Sequence, residues 1–211
     1  MTDQDARVSV FTSLWKDLTR AERIPDTPQT RHPNYQLPYV DQTFMRSEPL
    51  RGVRLMLELE KPESILRDAG VDSTVVLFGG ARIPRPEDRD KARTKTLAGL
   101  AEYYDEARRF AQRVTEESLK RGGHELVVVT GGGPGVMEAG NLGAEEAGGR
   151  SIGLGIVLPH EQAPNLHVTP EFSFNFHYFA IRKMHFLMRA KAIAVFPGGY
   201  GTLDELFETL T

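Results

Sequence analysis

The segment Ala192-Ile-Ala-Val-Phe196-Pro197-Gly-Gly-Tyr-Gly-Thr-Leu-Asp-Glu205 passes from an unbroken apolar run, through a glycine-rich turn, into residues suited to a helix. The same sequence of events occurs upstream. Thr74-Val-Val-Leu-Phe78 runs into Gly79-Gly80, and Leu126-Val-Val-Val129 runs into Thr130-Gly131-Gly132-Gly133, while Ile152 to Leu158 is a further apolar run. Continuous rather than alternating apolar runs suit strands covered on both faces. Between the first two runs, Lys91 to Arg121 places Leu97, Ala101, Tyr104, Ala107, Phe110, Ala111 and Val114 at helical spacing with charged residues between them. Strands alternating with amphipathic helices predict an α/β fold, a Rossmann-like parallel sheet with helices on both faces. In such a sheet ligands bind beyond the carboxyl ends of the strands, where the glycine clusters fall.

The chain has 211 residues, of which 40% are hydrophobic, 20 are glycine and none is cysteine. That length supports one sizeable core. Residues 1–70 are rich in charge and proline, with turn-prone clusters such as Pro25-Asp26-Thr27-Pro28, and are expected to be an extension, helical in parts; 71–211 is the expected nucleotide-binding domain. Without cysteine there are no disulfides, thiolate metal sites or thiol nucleophiles, which fits a reducing compartment. Lys and Arg number 26 against 29 Asp and Glu, a formal charge of −3, which argues against a nucleic-acid binder. No apolar run approaches the roughly 20 residues that span a bilayer, and a cytoplasmic location with no membrane contact is expected.

Glycine turns let backbone approach a ligand closely, and the free N–H groups at the start of the following helix attract anions. The turn at Pro197 therefore fits a phosphate cradle, with Thr202 adding a hydroxyl. Thr202 and Glu205 also have the spacing of a helix capping box. The loop Thr130-Gly-Gly-Gly-Pro-Gly-Val-Met-Glu138 departs from the dinucleotide fingerprint and lacks the acidic residue that would follow it, and there is no P-loop. Arg182 and Lys183 lie in the segment His177 to Lys191, where helical spacing puts Phe179, Met184, Leu187 and Met188 in the core. The two cations face either the cleft or solvent. His177 and His185 lack the spacing of a helical zinc pair, so no metal and no cofactor is expected.

Taken together, the Gly-Gly-Gly-x-Gly-x-Met loop, the Arg182-Lys183 pair and Pro197-Gly-Gly-Tyr-Gly-Thr-Leu-Asp-Glu205 resemble the LOG family. It includes cytokinin riboside 5′-monophosphate phosphoribohydrolases and bacterial nucleotide nucleosidases, and many relatives carry the older label "lysine decarboxylase-like". The resemblance covers about 74–211, and the long N-terminal extension is similar to the longer bacterial branch. It implies hydrolysis of the N-glycosidic bond of a nucleoside 5′-monophosphate, such as AMP, to free base and ribose 5-phosphate. Arg182 and Glu205 match the catalytic pair. Gly131, Gly132, Gly133, Gly135, Met137, Glu161, Lys183, Gly198, Gly199, Gly201, Thr202 and Thr211 match substrate-binding positions, and a homodimer or higher homo-oligomer is implied.

The chemistry agrees, because breaking a ribosyl–base bond builds positive charge on the sugar that a carboxylate can stabilise. Placed in the first turn of a helix, Glu205 is expected to stay ionised. Arg182 does not serve as an acid, since a guanidinium stays protonated, and its expected role is orientation and charge stabilisation. The rival function is a nucleotide or molybdenum-cofactor carrier that binds without turnover. A pyridoxal-phosphate decarboxylase needs a constellation around a Schiff-base lysine that is missing here. The family normally continues past the Pro-Gly-Gly helix, whereas Thr211 falls inside a helical pattern with no stop signal, so the expectation is either a truncated C-terminus or absent C-terminal elements.

Overall fold

The computed structural model describes Leu14, Lys16, Thr19 and residues 24–158 and 163–211. It divides into two units, Met1–Arg54 and Leu55–Thr211. In the first, short turns are held by their own side chains. Asp41 Oδ1 accepts from the N–H groups of Thr43 at 2.9 Å and Phe44 at 3.0 Å, capping Gln42–Met45. Arg54 donates to the carbonyls of Ser47 at 2.6 Å and Met45 at 3.0 Å.

Helix α1, Arg51–Asp68, leads into the second unit. The expected boundary at residue 70 therefore falls inside that compact unit, because Leu66 and Val71 are buried in its main core. There follow β1 (Thr74–Phe78), α2 (Glu102–Lys120), β2 (Val127–Thr130), α3 (Val136–Glu146), β3 (Ser151–Ile156), β4 (Ser173–Phe176), α4 (Phe179–Met188), β5 (Ala190–Val195) and α5 (Tyr200–Leu210). All four strand pairings are parallel, in the order β4-β3-β2-β1-β5. This is the Rossmann-like α/β arrangement that the apolar runs imply.

The period of two along each strand divides the core. Val76, Phe78, Val127 and Val129 pack on one face with Leu66 of α1 and Phe186 of α4. Val75, Leu77 and Val128 pack on the other with Ala111 of α2 and Ala144 of α3. The strands differ in detail from the apolar runs, and β3 ends at Ile156 rather than Leu158. Strand β2 starts one residue later, since Leu126 has a φ of 57°, outside the extended region. Strand β4, Ser-Phe-Asn-Phe, was not anticipated; it alternates exposed and buried residues over only four positions.

Strand β5 also departs from expectation. It is an edge strand, and Lys191, Ala192 and Val195 are exposed. In α4 the expected core residues Phe179, Met184, Leu187 and Met188 are between 38% and 53% exposed. The helix is turned so that Arg182, His185 and Phe186 face inward instead.

Contacts from α1 fix that orientation. Glu58 accepts from the N–H of His177 at 2.9 Å and of Tyr178 at 3.1 Å, satisfying donors at the start of α4 that have no partner within the helix. His185 Nε2 lies 3.2 Å from the Glu58 carbonyl, and burial pushes its pKa down, so the neutral ring donates there. Arg189, just before β5, donates to Glu63 Oε1 at 2.7 Å, to Glu63 Oε2, and to the Val71 carbonyl at 3.1 Å.

The hydrogen bonds from Arg189 hold the Glu63 carboxyl below its usual value of 4.5, outweighing the opposing effect of burial. A carboxyl with a lowered folded pKa stabilises above pH 4.5, and that stabilisation is lost as the pH falls through the folded value. Glu63→Gln is expected to cost about 1–3 kcal/mol at neutral pH. It should also flatten the fall in stability below pH 4.5, both measured by denaturant unfolding across pH.

Candidate functional site

From β1 to β4 the chain moves steadily towards one edge of the sheet and then returns to place β5 on the other side of β1. The switch point is thus between β1 and β5, where a crevice opens beyond the carboxyl ends of the strands. The glycine turns after β1, β2 and β5 meet there. Gly80 N–H donates to the Pro197 carbonyl at 2.9 Å, and the Gly80 carbonyl accepts from Val136 N–H at 3.2 Å. Gly135 has a φ of +69°, and a Cβ on it would lie 2.3 Å from the Gly80 oxygen, so only glycine fits. Gly135 therefore serves loop packing and lines neither cavity described below.

A buried polar network shapes the Gly131–Gly133 turn. The Thr130 hydroxyl donates to Asn141 Oδ1 at 2.7 Å and accepts from Gly132 N–H at 2.9 Å. Asn141 Nδ2 donates to Ser151 Oγ at 3.0 Å. Asn165 Nδ2 faces three acceptors, the carbonyls of Gly132 at 3.1 Å and Gly133 at 3.0 Å and Asn141 Oδ1 at 3.0 Å. Asn165 and Asn141 were missed by the sequence reading, since an isolated amide carries no spacing signal.

Two cavities open at this end of the sheet. The first, about 630 Å³, is lined by Gly131, Gly132, Gly133 and Met137, together with Ser173 to Asn175 from β4. The second, about 760 Å³, is lined by Gly79 to Ile83 and by Pro197 to Thr202 with Glu205, so Gly198, Gly199, Gly201 and Thr202 all border it. Met137 and Arg182 line both.

Arg182 is 8% exposed. Its Nε donates to the Leu154 carbonyl at 2.7 Å, its Nη1 lies 3.2 Å from Glu205 Oε1, and its guanidinium sits 4.9 Å from the Phe186 ring centroid. A Cβ added at Gly131 would come within 2.7 Å of Nη2, which places that nitrogen against the first glycine turn. Nη2 has no hydrogen-bond partner among the described residues.

Glu205 is the sixth residue of α5, whose cap is Gly199, and no acidic residue lies in the first turn. The capping box and the expected dipole stabilisation of Glu205 therefore do not form, because the helix begins at Tyr200, earlier than a cap at Thr202 requires. Instead, burial raises the Glu205 pKa, with Arg182 pulling in the opposite direction. The result is a carboxylate of increased basicity held beside a fixed cation.

Lys183 is not brought to either cavity. It follows Arg182 in α4, so the two side chains point in different directions, and its ammonium meets Asp204 at 2.9 Å and Glu208 at 2.5 Å on α5. Thr211 is exposed, and its hydroxyl donates to the Glu208 carbonyl at 3.0 Å, so it too is outside the cavities. Glu161 lies outside the described residues. Among the described residues no group of three or more His, Asp or Glu is placed to hold a metal, and no helix is long and apolar enough to cross a membrane.

Residues 137–211 match the protein family described as "Possible lysine decarboxylase". That is the older label of the LOG-type proteins that the glycine motifs resemble. The matched stretch contains Arg182, Glu205 and the whole Pro-Gly-Gly turn. No curated protein matches the sequence. Among solved structures, the chain is similar to TM1055, a structural genomics target, at 25% identity, 64% of this chain, 66% of that chain and a TM-score of 0.41. It is also similar to a Moco carrier protein from Chlamydomonas reinhardtii at 19% identity, 66% of this chain, 70% of that chain and a TM-score of 0.42.

Asn165→Asp keeps the shape of the side chain but turns its donor into an acceptor facing three acceptors. The expected cost is about 1–3 kcal/mol for each buried group left unpaired. Thermal unfolding should show the loss, with faster amide exchange at Gly132 marking its place.

Proposed function

We propose that this protein hydrolyses the N-glycosidic bond of a nucleoside 5′-monophosphate, AMP or a cytokinin riboside 5′-monophosphate, releasing free base and ribose 5-phosphate. The observation that carries this reading is the buried Arg182–Glu205 pair at the junction of two cavities, each walled by a glycine turn. A nucleotide has the matching layout: an anionic end, a flat heterocycle, and the reacting bond between them.

As the base leaves, positive charge develops on C1′, and the Glu205 carboxylate stabilises it at short range. Water then adds across the broken bond, with its hydroxyl going to C1′ and its proton to the base. Raised basicity equips Glu205 to take a proton from the attacking water. Arg182 keeps Glu205 ionised through Nη1 and presents Nη2 to the substrate. Phosphate bound away from the reacting bond supplies binding energy that fixes C1′ against the carboxylate.

Incubation with AMP is expected to release adenine and ribose 5-phosphate, measured by chromatography, while adenosine is cleaved barely at all. Glu205→Gln should lower kcat by roughly 100-fold or more. Because the reaction needs ionised Glu205 and burial raises its pKa, activity should fall with decreasing pH at a midpoint above 4.5. Full turnover by Glu205→Gln removes its catalytic role. AMP bound without release of base makes the protein a carrier.

A further inference from the structure

We propose that Arg82 is the cation that binds the substrate's phosphate, an assignment that rests on the second cavity being the phosphate end of the site proposed above. Among the described residues two cations line that cavity, Arg82 and Arg182. Arg182 is committed to Glu205 and the Leu154 carbonyl. Lys183, which the family resemblance puts among the substrate-binding positions, is committed to Asp204 and Glu208. Arg82 is exposed, has no ion pair or hydrogen bond among the described residues, and sits on the turn after β1.

That turn is fixed directly beside the Pro197 turn by the bond from Gly80 to the Pro197 carbonyl, so Arg82 is carried to the same rim as the start of α5. A second feature marks an anion place there. Thr202 is 7% exposed and lines the cavity, yet its hydroxyl has no partner among the described residues. That hydroxyl is packed over Gly198, where a Cβ would be 2.2 Å from Oγ1, so it is held at the cavity wall. Unlike the fully buried unpaired hydroxyls of Thr74 and Thr115, this one keeps access to the cavity, where an acceptor oxygen from a bound phosphate pairs it.

The geometry thus combines a hydroxyl, the free N–H groups opening α5, and a guanidinium that forms bidentate bonds to a phosphate. Glu205 borders the same cavity, but its charge is neutralised by Arg182, so the net charge left for a ligand comes from Arg82.

The test uses the whole chain, with inorganic phosphate and ribose 5-phosphate as probes in calorimetric titrations and AMP and adenosine as substrates. Arg82→Gln is expected to weaken both probes by roughly tenfold to a hundredfold, the loss of a charge-assisted bond. KM for AMP should rise by a similar factor and kcat should fall far less. Arg82→Lys should recover part of the loss. Arg89→Gln removes an exposed charge from the neighbouring turn at Pro86–Lys91 and should leave probe binding unchanged. The proposal is overturned if Arg82→Gln binds the probes as tightly as the parent, if Arg89→Gln weakens them equally, or if the parent binds neither. Probe binding that depends on Arg82 in a protein that releases no base upholds the phosphate site and removes the hydrolase reading.

Discussion

The backbone of Gly80 ties the site together. Its N–H reaches the turn after β5 and its carbonyl reaches the start of α3 after β2, so three strand ends are joined through one residue. These bonds form only where the neighbouring chains come within backbone contact, and Gly135 is the position that leaves room for it. With the three turns fixed to one another, both cavity walls are set before any ligand arrives. Such pre-organisation spares a ligand the cost of ordering loops.

The same closeness explains the electrostatics of the centre. Arg182 is buried behind the first turn and satisfied by the Leu154 carbonyl and by Glu205. A buried charge without partners costs several kcal/mol, so the pair is interdependent. Burial weakens each ionised form while the partner supports it, and for Glu205 burial dominates. A carboxylate in the first turn of an exposed helix would have been stabilised and correspondingly less basic.

Much of the fold was legible because its signals are local. Unbroken apolar runs at Thr74–Phe78 and Val127–Val129 marked strands buried on both faces, and the glycines after them marked the binding edge. Signals that depend on partners were not legible. Four residues of β4 alternate too briefly to distinguish a strand from a loop. In α4 every face holds apolar residues, so periodicity could not select the inward face; contacts with Glu58 on a distant helix do so. The motif brought Arg182 and Lys183 together in sequence, but helical geometry separates them in space. The environment of Glu205 depends on where α5 begins, which the capping pattern placed too late.

Glu58 stands well away from the glycine turns, yet it holds the end of the helix that carries Arg182. Loss of that carboxylate would leave the first N–H groups of α4 without their acceptor. Arg182 of the buried Arg182–Glu205 pair thus sits on a helix held from outside the cleft, much as a gun is laid from its carriage. A substitution in α1 therefore reaches the helix of Arg182 without altering any residue that lines the two cavities.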